Sequence, residues 1–341
     1  MTGENADGRG EADEDHEGGH DHGDVRYLDA KQSVDERAVN RRVRERLLTA
    51  LPDAPRVFDA GCGTGVALRR LREWGVSPRA YHGVDADPTL IAEARDRHSN
   101  EGRSSPPGDS DPASTRGDDS TSVSFAVADA LAAARRLRDS VGDDATLDGQ
   151  PDLVVAGSFL DLVPVREALE LFTDVTAPGG LVYAPFTFDG TTAFTPSHPA
   201  DEVVERAYHR EIDSTPGRDT RAGRRALSIL GGADGDLLAV GSSDWIVRAR
   251  ADGGDRLYPA DEGYFLDCIL GFVADALFAD SDDVTTSALT PTARTAVDAA
   301  DGVGPSAVRD WLVTRRQQLR DGELCYLAHQ LDLLYRAPSE S

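Results

Sequence analysis

The sequence predicts an α/β fold: a doubly wound, mostly parallel sheet with helices on both faces, plus a C-terminal region that caps the site and completes the sheet. Three observations carry this expectation. Short apolar runs alternate with helical periods between residues 55 and 190. One of those runs opens directly into a glycine loop, and acids close the next two runs. Near-continuous apolar strands, each followed by a helix, are the mark of a parallel sheet covered on both faces.

Taken in order, residues 27–50 read as one helix. Ser33 and Glu36 have the spacing of a capping box, and Val39, Val43 and Leu47 share a face. Arg37, Arg41, Arg42, Arg44 and Arg46 cover much of the remainder as a solvated face. Arg56–Asp59 is a strand, and a helix over 66–74 follows the glycines. Residues 80–98 repeat strand, turn and helix, with Pro88 in a helix first turn, and residues 123–140 do so again. Residues 152–163 are an apolar strand entering a loop, 165–175 a helix and 179–188 a strand. Farther on come helices at 200–211, 218–231, 264–278 and 305–320. A strand at 237–247 is kinked at Gly241, and a last strand covers 325–337. The 264–278 helix is apolar nearly all round and therefore buried, with Asp267 and Asp275 at its exposed edges.

Three regions follow from this pass. Residues 1–24 form an acidic tail without a large apolar side chain, and residues 99–122 form a Ser/Asp/Gly/Pro insert. Neither buries enough apolar surface to offset the entropy of ordering, so both are expected to be disordered. Residues 25–188 form the ligand-binding core, and residues 189–341 the cap and the strands that complete the sheet.

The 341 residues carry a formal charge of −25. Tail and insert account for less than half of it, so the folded surface is itself acidic. Lys31 is the only lysine; every other basic residue is arginine. This composition resembles proteins of salt-loving organisms, whose charge keeps them soluble where salt screens self-repulsion. It disfavours a nucleic-acid partner, which needs a basic surface. No run approaches the roughly 18–20 apolar residues of a membrane span. The N-terminus has no secretory signal pattern, which makes a cytoplasmic location the expectation. Cys62, Cys268 and Cys325 give neither a disulfide framework nor a zinc pattern, and no metal site is read elsewhere. His16, His20 and His22 belong to the solvated tail.

The strongest chemical signal is Asp59-Ala60-Gly61-Cys62-Gly63-Thr64-Gly65, between a strand and a helix. Glycines at alternate positions let the backbone turn sharply and approach a ligand, and the helix start offers N–H groups to an anion. Position 66 is valine, so the dinucleotide pattern G-x-G-x-x-G fails, and Walker A fails with it. Asp85, twenty residues past Gly65, ends the second strand, where an acid accepts ribose hydroxyls. Asp129 ends the third.

The set VFDAGCGTG, GVDAD, VADAL and DLVVAGSFLDLV resembles the class I S-adenosylmethionine-dependent methyltransferase family, whose core is Rossmann-like, over roughly residues 55–190. The resemblance implies S-adenosyl-L-methionine as cofactor. It implies that Asp59, Ala60, Gly61, Gly63 and Gly65 lie beside the methionine part, Asp85 and Ala86 along ribose and adenine, and Asp129 and Ala130 at the adenine amino group. Ser158 and Phe159 fall where the fourth strand opens onto cofactor and substrate. The fourth-strand motif Ser158-Phe159-Leu160-Asp161 is not the Asn/Asp-Pro-Pro-Tyr/Phe set of the amino-methylating enzymes that act on bases or glutamine, and no Pro-Cys nucleophile stands there. The expected activity is methyl transfer to a small organic molecule. An RNA or protein methyltransferase, a non-catalytic S-adenosylmethionine-binding regulator and an aminopropyl transferase are the alternatives. Candidates for a catalytic base are His198, His209, Tyr208 and Asp161. Trp245 reads as core.

Overall fold

The computed structural model describes residues 24–100, 121–139, 147–252, 255–281, 283–284, 286–300 and 302–339. The acidic tail up to residue 23, with its three histidines, and most of the 99–122 insert lie outside the described residues, so the expectation of disorder there is untested. Ser99 and Asn100 continue a helix, and Ser122 opens a strand.

Two helices open the chain, α1 (Val25–Ala38) and α2 (Arg41–Ala50), where the sequence pattern predicts one. The break falls at Asn40. Its side chain caps α2 by accepting the Val43 N–H at 3.1 Å, while its own N–H goes to Asp332. A cap plus a long-range acceptor outweighs the unbroken helical period. Asp24 caps α1 through the Arg26 N–H. Ser33 therefore sits inside the helix and forms no capping box; its hydroxyl donates to the buried Glu262.

Strand–helix repeats follow: β1 (Arg56–Ala60), α3 (Val66–Glu73), β2 (Ala80–Asp85), α4 (Pro88–Asn100), β3 (Ser122–Val127), α5 (Ala130–Asp139), β4 (Leu153–Val155), α6 (Val165–Val175) and β5 (Leu181–Thr195). The second half comprises α7 (Asp201–Ser214), α8 (Ala222–Gly231), β6 (Asp236–Ser242), β7 (Trp245–Arg248), β8 (Arg250–Asp252), β9 (Asp255–Leu257), α9 (Glu262–Leu277), α10 (Pro291–Asp298), α11 (Pro305–Arg320) and β10 (Cys325–Arg336). The expected strand at 237–247 is two strands, because Ser243 leaves the ladder to donate its N–H to Gln330 and Asp244 accepts the Gln330 N–H. Helix α10 and the β8–β9 hairpin lack a clear periodic signal and were not expected.

Among the described residues the main sheet has the order β3-β2-β1-β4-β5-β10-β6, with β7 also on β10. Strands β1 to β5 are parallel, and β10 runs antiparallel to β5, β6 and β7. The chain moves outward from β1 in one direction to β2 and β3, then returns to place β4 on the other side. That reversal opens a crevice at the carboxyl ends of β1 and β4.

Both faces of the sheet are apolar because both are covered. Val57, Tyr81, Val155 and Leu181 pack with Leu47, Leu68 and Ile91 from α2, α3 and α4. Phe58, Val154 and Val182, one residue along in each strand, pack with Leu131, Phe172 and Leu230 from α5, α6 and α8. Adjacent side chains of a strand point to opposite faces. A third cluster joins α1, α7, α9, α10 and α11 to the far ends of β5 and β10 through Tyr27, Phe194, Phe265, Trp311 and Tyr326. Strands β5 and β10 are long enough to leave the parallel sheet and support this layer. As expected, α9 is buried along most of its length and Asp267 is exposed. Glu262, at its start, is the fully buried acid, held by Arg37 and Ser33.

Strand β5 also carries a bulge. Thr187 pairs with Leu331 and Ala184 with Leu333, so Pro185 and Phe186 together face Asp332. Phe186 takes a φ of +56° there.

Candidate active site

The crevice widens into a cavity of about 530 Å³. Its walls come from α1, the loops after β1 to β4, α3, the bulged part of β5 and Arg218 before α8. Asp59, Gly61, Gly63, Asp85, Ala86, Asp129, Ala130, Ser158 and Phe159 all line it, so motifs spread over a hundred residues meet at one place. Two residues of the expected set do not. Ala60 is fully buried in the core beneath the loop, and Gly65 caps α3.

The glycine loop is fixed by its neighbours. The N–H groups of Gly61 and Cys62 both donate to the Val84 carbonyl at 2.9 Å, which ties the end of β1 to the end of β2. Gly61 has φ +71°, and a Cβ there would stand 2.5 Å from the Phe159 ring. The loop therefore needs glycine both for its left-handed backbone and for room. A Cβ on Gly65, at φ +79°, would strike the His98 imidazole at 2.6 Å.

Asp85 stands opposite. One carboxylate oxygen accepts the Gly63 N–H at 2.9 Å and the other accepts the Asp87 N–H at 3.0 Å. Each oxygen keeps a lone pair, so Asp85 shapes the loop and can still accept hydroxyls. Asp129 caps α5 by accepting the Ala132 N–H at 2.7 Å, which leaves its second oxygen without a share in that cap.

Asp59 is 2% exposed and accepts a hydrogen bond from the Tyr81 hydroxyl. Burial pushes its carboxyl up to about 7, against the opposing pull of that hydrogen bond and of Arg70. A carboxyl poised this way gains from a cation brought beside it.

Ser158 has φ +49° and receives a hydrogen bond from Lys31 Nζ at 3.1 Å. Lys31 also donates to Asp35 at 2.8 Å and lies 5.0 Å from the centre of the Trp245 ring. Trp245 Nε1 donates to the same Asp35 at 2.9 Å. The residue expected as plain core is thus core on one side and a support of the cavity on the other.

The four candidates for a catalytic base do not line the cavity. His198 accepts the Ala200 N–H and pairs with Asp310. His209 pairs with Thr192, and burial holds its imidazole below the usual range. Tyr208 packs against the cap cluster, and burial raises its hydroxyl to about 12. Asp161, just beyond Phe159, is pushed up to about 6 by burial, and one of its oxygens has no hydrogen-bond partner among the described residues.

Sequence reasoning missed Lys31, Asp35, Arg70, Tyr183, Phe186 and Arg218, all of which line the cavity. Lys31 had a signal as the lone lysine of the chain. Asp332 had one too, as an acid in an apolar strand. Arg70 was indistinguishable from the other arginines of its helix.

Residues 34–185 match the model of a family described as a methyltransferase domain. A search of curated proteins gives no match. Similar solved structures include an S-adenosylmethionine-dependent methyltransferase from Thiobacillus denitrificans in complex with S-adenosylhomocysteine, at 16% identity over 92% of this chain and 98% of that chain, with a TM-score of 0.43. A protein from Bacillus halodurans has 13% identity over 87% and 99%, with a TM-score of 0.44. A chain from a complex that contains the Haloferax volcanii Trm112 methyltransferase activator has 17% identity over 95% and 99%, with a TM-score of 0.40. The matched segment spans the glycine loop, both strand-end acids and Ser158–Phe159, so the site-bearing part of the chain, residues 34–185, is similar to a methyltransferase domain.

Proposed function

We propose that this methyltransferase acts on a small organic molecule inside the cavity, with the cofactor along the carboxyl ends of β1 to β3. The observation behind the small substrate is the cavity itself. At about 530 Å³, walled on the acceptor side by Lys31, Ser158, Phe186 and Arg218, it has the size of a pocket for small molecules. The net charge of −25 also opposes a polyanionic partner. The same acidity, and the near-absence of lysine, suit a salt-rich cytoplasm. Among the described residues, no helix is long and apolar enough to cross a membrane.

The residues present fit S-adenosylmethionine. Asp85 has free acceptor capacity and would hold the two ribose hydroxyls, with Ala86 alongside the base, and Asp129 with Ala130 would receive the adenine amino group. Asp59 offers a carboxylate to an ammonium, and the Gly61–Gly63 segment leaves room for an amino-acid end. Gly65 and Ala60 contribute through the shape and footing of the loop. When bound, the cofactor supplies a methyl group already activated on a sulfonium.

The chain's part is to orient the acceptor and exclude water. Phe159 covers Gly61, while Ser158, fixed by Lys31, presents its hydroxyl on the acceptor side. Of the four candidate bases, Asp161 alone adjoins the wall residues in sequence and keeps a buried, unpaired oxygen; His198, His209 and Tyr208 serve structure. The test is transfer of labelled methyl groups from S-adenosylmethionine into a cell extract, followed by size fractionation. Label in the small-molecule fraction is expected. Label confined to RNA or protein overturns the small substrate.

A further inference from the structure

Buried donors without acceptors gather at one end of the cavity. Arg70 is 9% exposed and Tyr183 3%, and both line the cavity. Arg70 Nε and Nη2 and the Tyr183 hydroxyl make no hydrogen bond among the described residues. Protein interiors rarely leave such atoms unpaired. The two Arg70 nitrogens form one edge of the guanidinium, the fork that grips a carboxylate with two parallel hydrogen bonds.

The charges are unbalanced in the same place. Lys31 and Arg70 share one close carboxylate, Asp35, which lies 2.8 Å from Lys31 Nζ and 3.7 Å from Arg70 Nη2. Asp35 is already engaged by Lys31 and Trp245. Asp59 and Asp332 also feel Arg70, but burial pushes both toward the neutral form. A cation this buried is costly without a matched anion. Lys31 Nζ, after serving Asp35 and Ser158, keeps a third proton. The Arg70 donors are shielded from solvent, so rotation about the Arg70 and Lys31 side-chain bonds is the movement that would present them to a ligand.

We infer that Arg70, Tyr183 and Lys31 form a carboxylate-binding subsite of the cavity, and that the methyl acceptor is a small organic acid. This rests on the cavity being the site of transfer, as proposed above. The amino-acid carboxylate of the cofactor shares the chemistry, so the test separates the two sources.

The full-length protein is titrated calorimetrically in potassium chloride with 5′-methylthioadenosine, which has the nucleoside but no amino-acid end, and with S-adenosylhomocysteine. Benzoate and benzamide are then titrated into protein saturated with S-adenosylhomocysteine. Benzoate is expected to bind at least tenfold more tightly than benzamide. Arg70→Met and Tyr183→Phe should each erase that preference while leaving both nucleosides unaffected. Tyr183→Phe removes one hydroxyl only and serves if Arg70→Met fails to fold. A tenfold loss for S-adenosylhomocysteine alone, with 5′-methylthioadenosine unchanged, upholds the carboxylate subsite but overturns the acidic acceptor, since the cofactor then fills it. No dependence of any carboxylate on either residue overturns the subsite. Failure of 5′-methylthioadenosine to bind the parent protein sinks the cofactor placement instead, and benzoate against benzamide on the unloaded protein still decides the subsite.

Discussion

Asp332 accepts the backbone N–H of Phe186 at 2.9 Å through one carboxylate oxygen and the N–H of Asn40 at 2.9 Å through the other. One fully buried side chain thus holds two departures from regular structure: the β5 bulge beside the cavity and the break between α1 and α2. Removing it strands one buried and one half-buried donor, the buried one worth about 1–3 kcal/mol and the other less. Asp332→Ala is therefore expected to lower stability by about 3 kcal/mol, read from guanidinium unfolding at constant salt. Asp332→Asn keeps one acceptor and should fall between the two. A loss below about 1 kcal/mol for the alanine variant would mean that the bulge is held by packing alone.

Asp85 joins the proposed cofactor placement to loop shape. Its carboxylate is the acceptor for the Gly63 N–H and, in the proposed placement, for ribose hydroxyls. Asp85→Ala should weaken S-adenosylhomocysteine by about 1.5–3 kcal/mol, roughly ten- to a hundredfold. Calorimetric titration reads this directly, and an unchanged affinity would remove Asp85 from the cofactor site.

Asp59 gives the site a pH signature. Burial raises its carboxyl from 3.8 to about 7, so the folded protein holds this proton more tightly than the unfolded chain does. Its contribution to stability is complete below pH 3.8, is lost as pH rises from there through about 7, and is constant above. An ammonium beside Asp59 favours the ionised form. Binding of S-adenosylhomocysteine at pH 7 should then release about half a proton. Titrations in buffers of different ionisation enthalpy measure that release, and Asp59→Asn should abolish it. Release that persists in the variant would assign the proton to another group.

The parallel half of the fold was legible because its signals are local. Apolar runs, a glycine loop and acids at strand ends each report on a few adjacent residues, and together they place Asp59, Asp85, Asp129 and Ser158 on one crevice. The Lys31–Asp35 side of the cavity was not legible, because it is built by tertiary contact. Lys31 reaches Ser158 across 127 residues of sequence, and Asp35 meets Trp245 across 210. No periodicity encodes such a pairing. The break at Asn40 was hidden for the same reason, since the acceptor of its N–H lies 292 residues away. His198 and His209 drew attention by residue type, and the structure pairs them with Asp310 and Thr192 away from the cavity.

Gly61 and Phe159 are a matched pair, and their fit gives the last prediction. The ring of Phe159 occupies the space that a Cβ on Gly61 would enter, at 2.5 Å, and Gly61 also holds a φ of +71°. Gly61→Ala therefore meets two penalties, a backbone strain of about 1–2 kcal/mol and a steric clash. The clash moves either the ring or the loop, and both line the cavity. The alanine variant is expected to lose at least tenfold in S-adenosylhomocysteine affinity while still unfolding cooperatively. Adding Phe159→Ala removes the clash but not the strain, so the double variant should recover part of that loss relative to Phe159→Ala alone. A double-mutant cycle by calorimetry measures the recovered part. Strict additivity of the two losses would show that the strained backbone of Gly61, and not its contact with the ring, keeps glycine at this position.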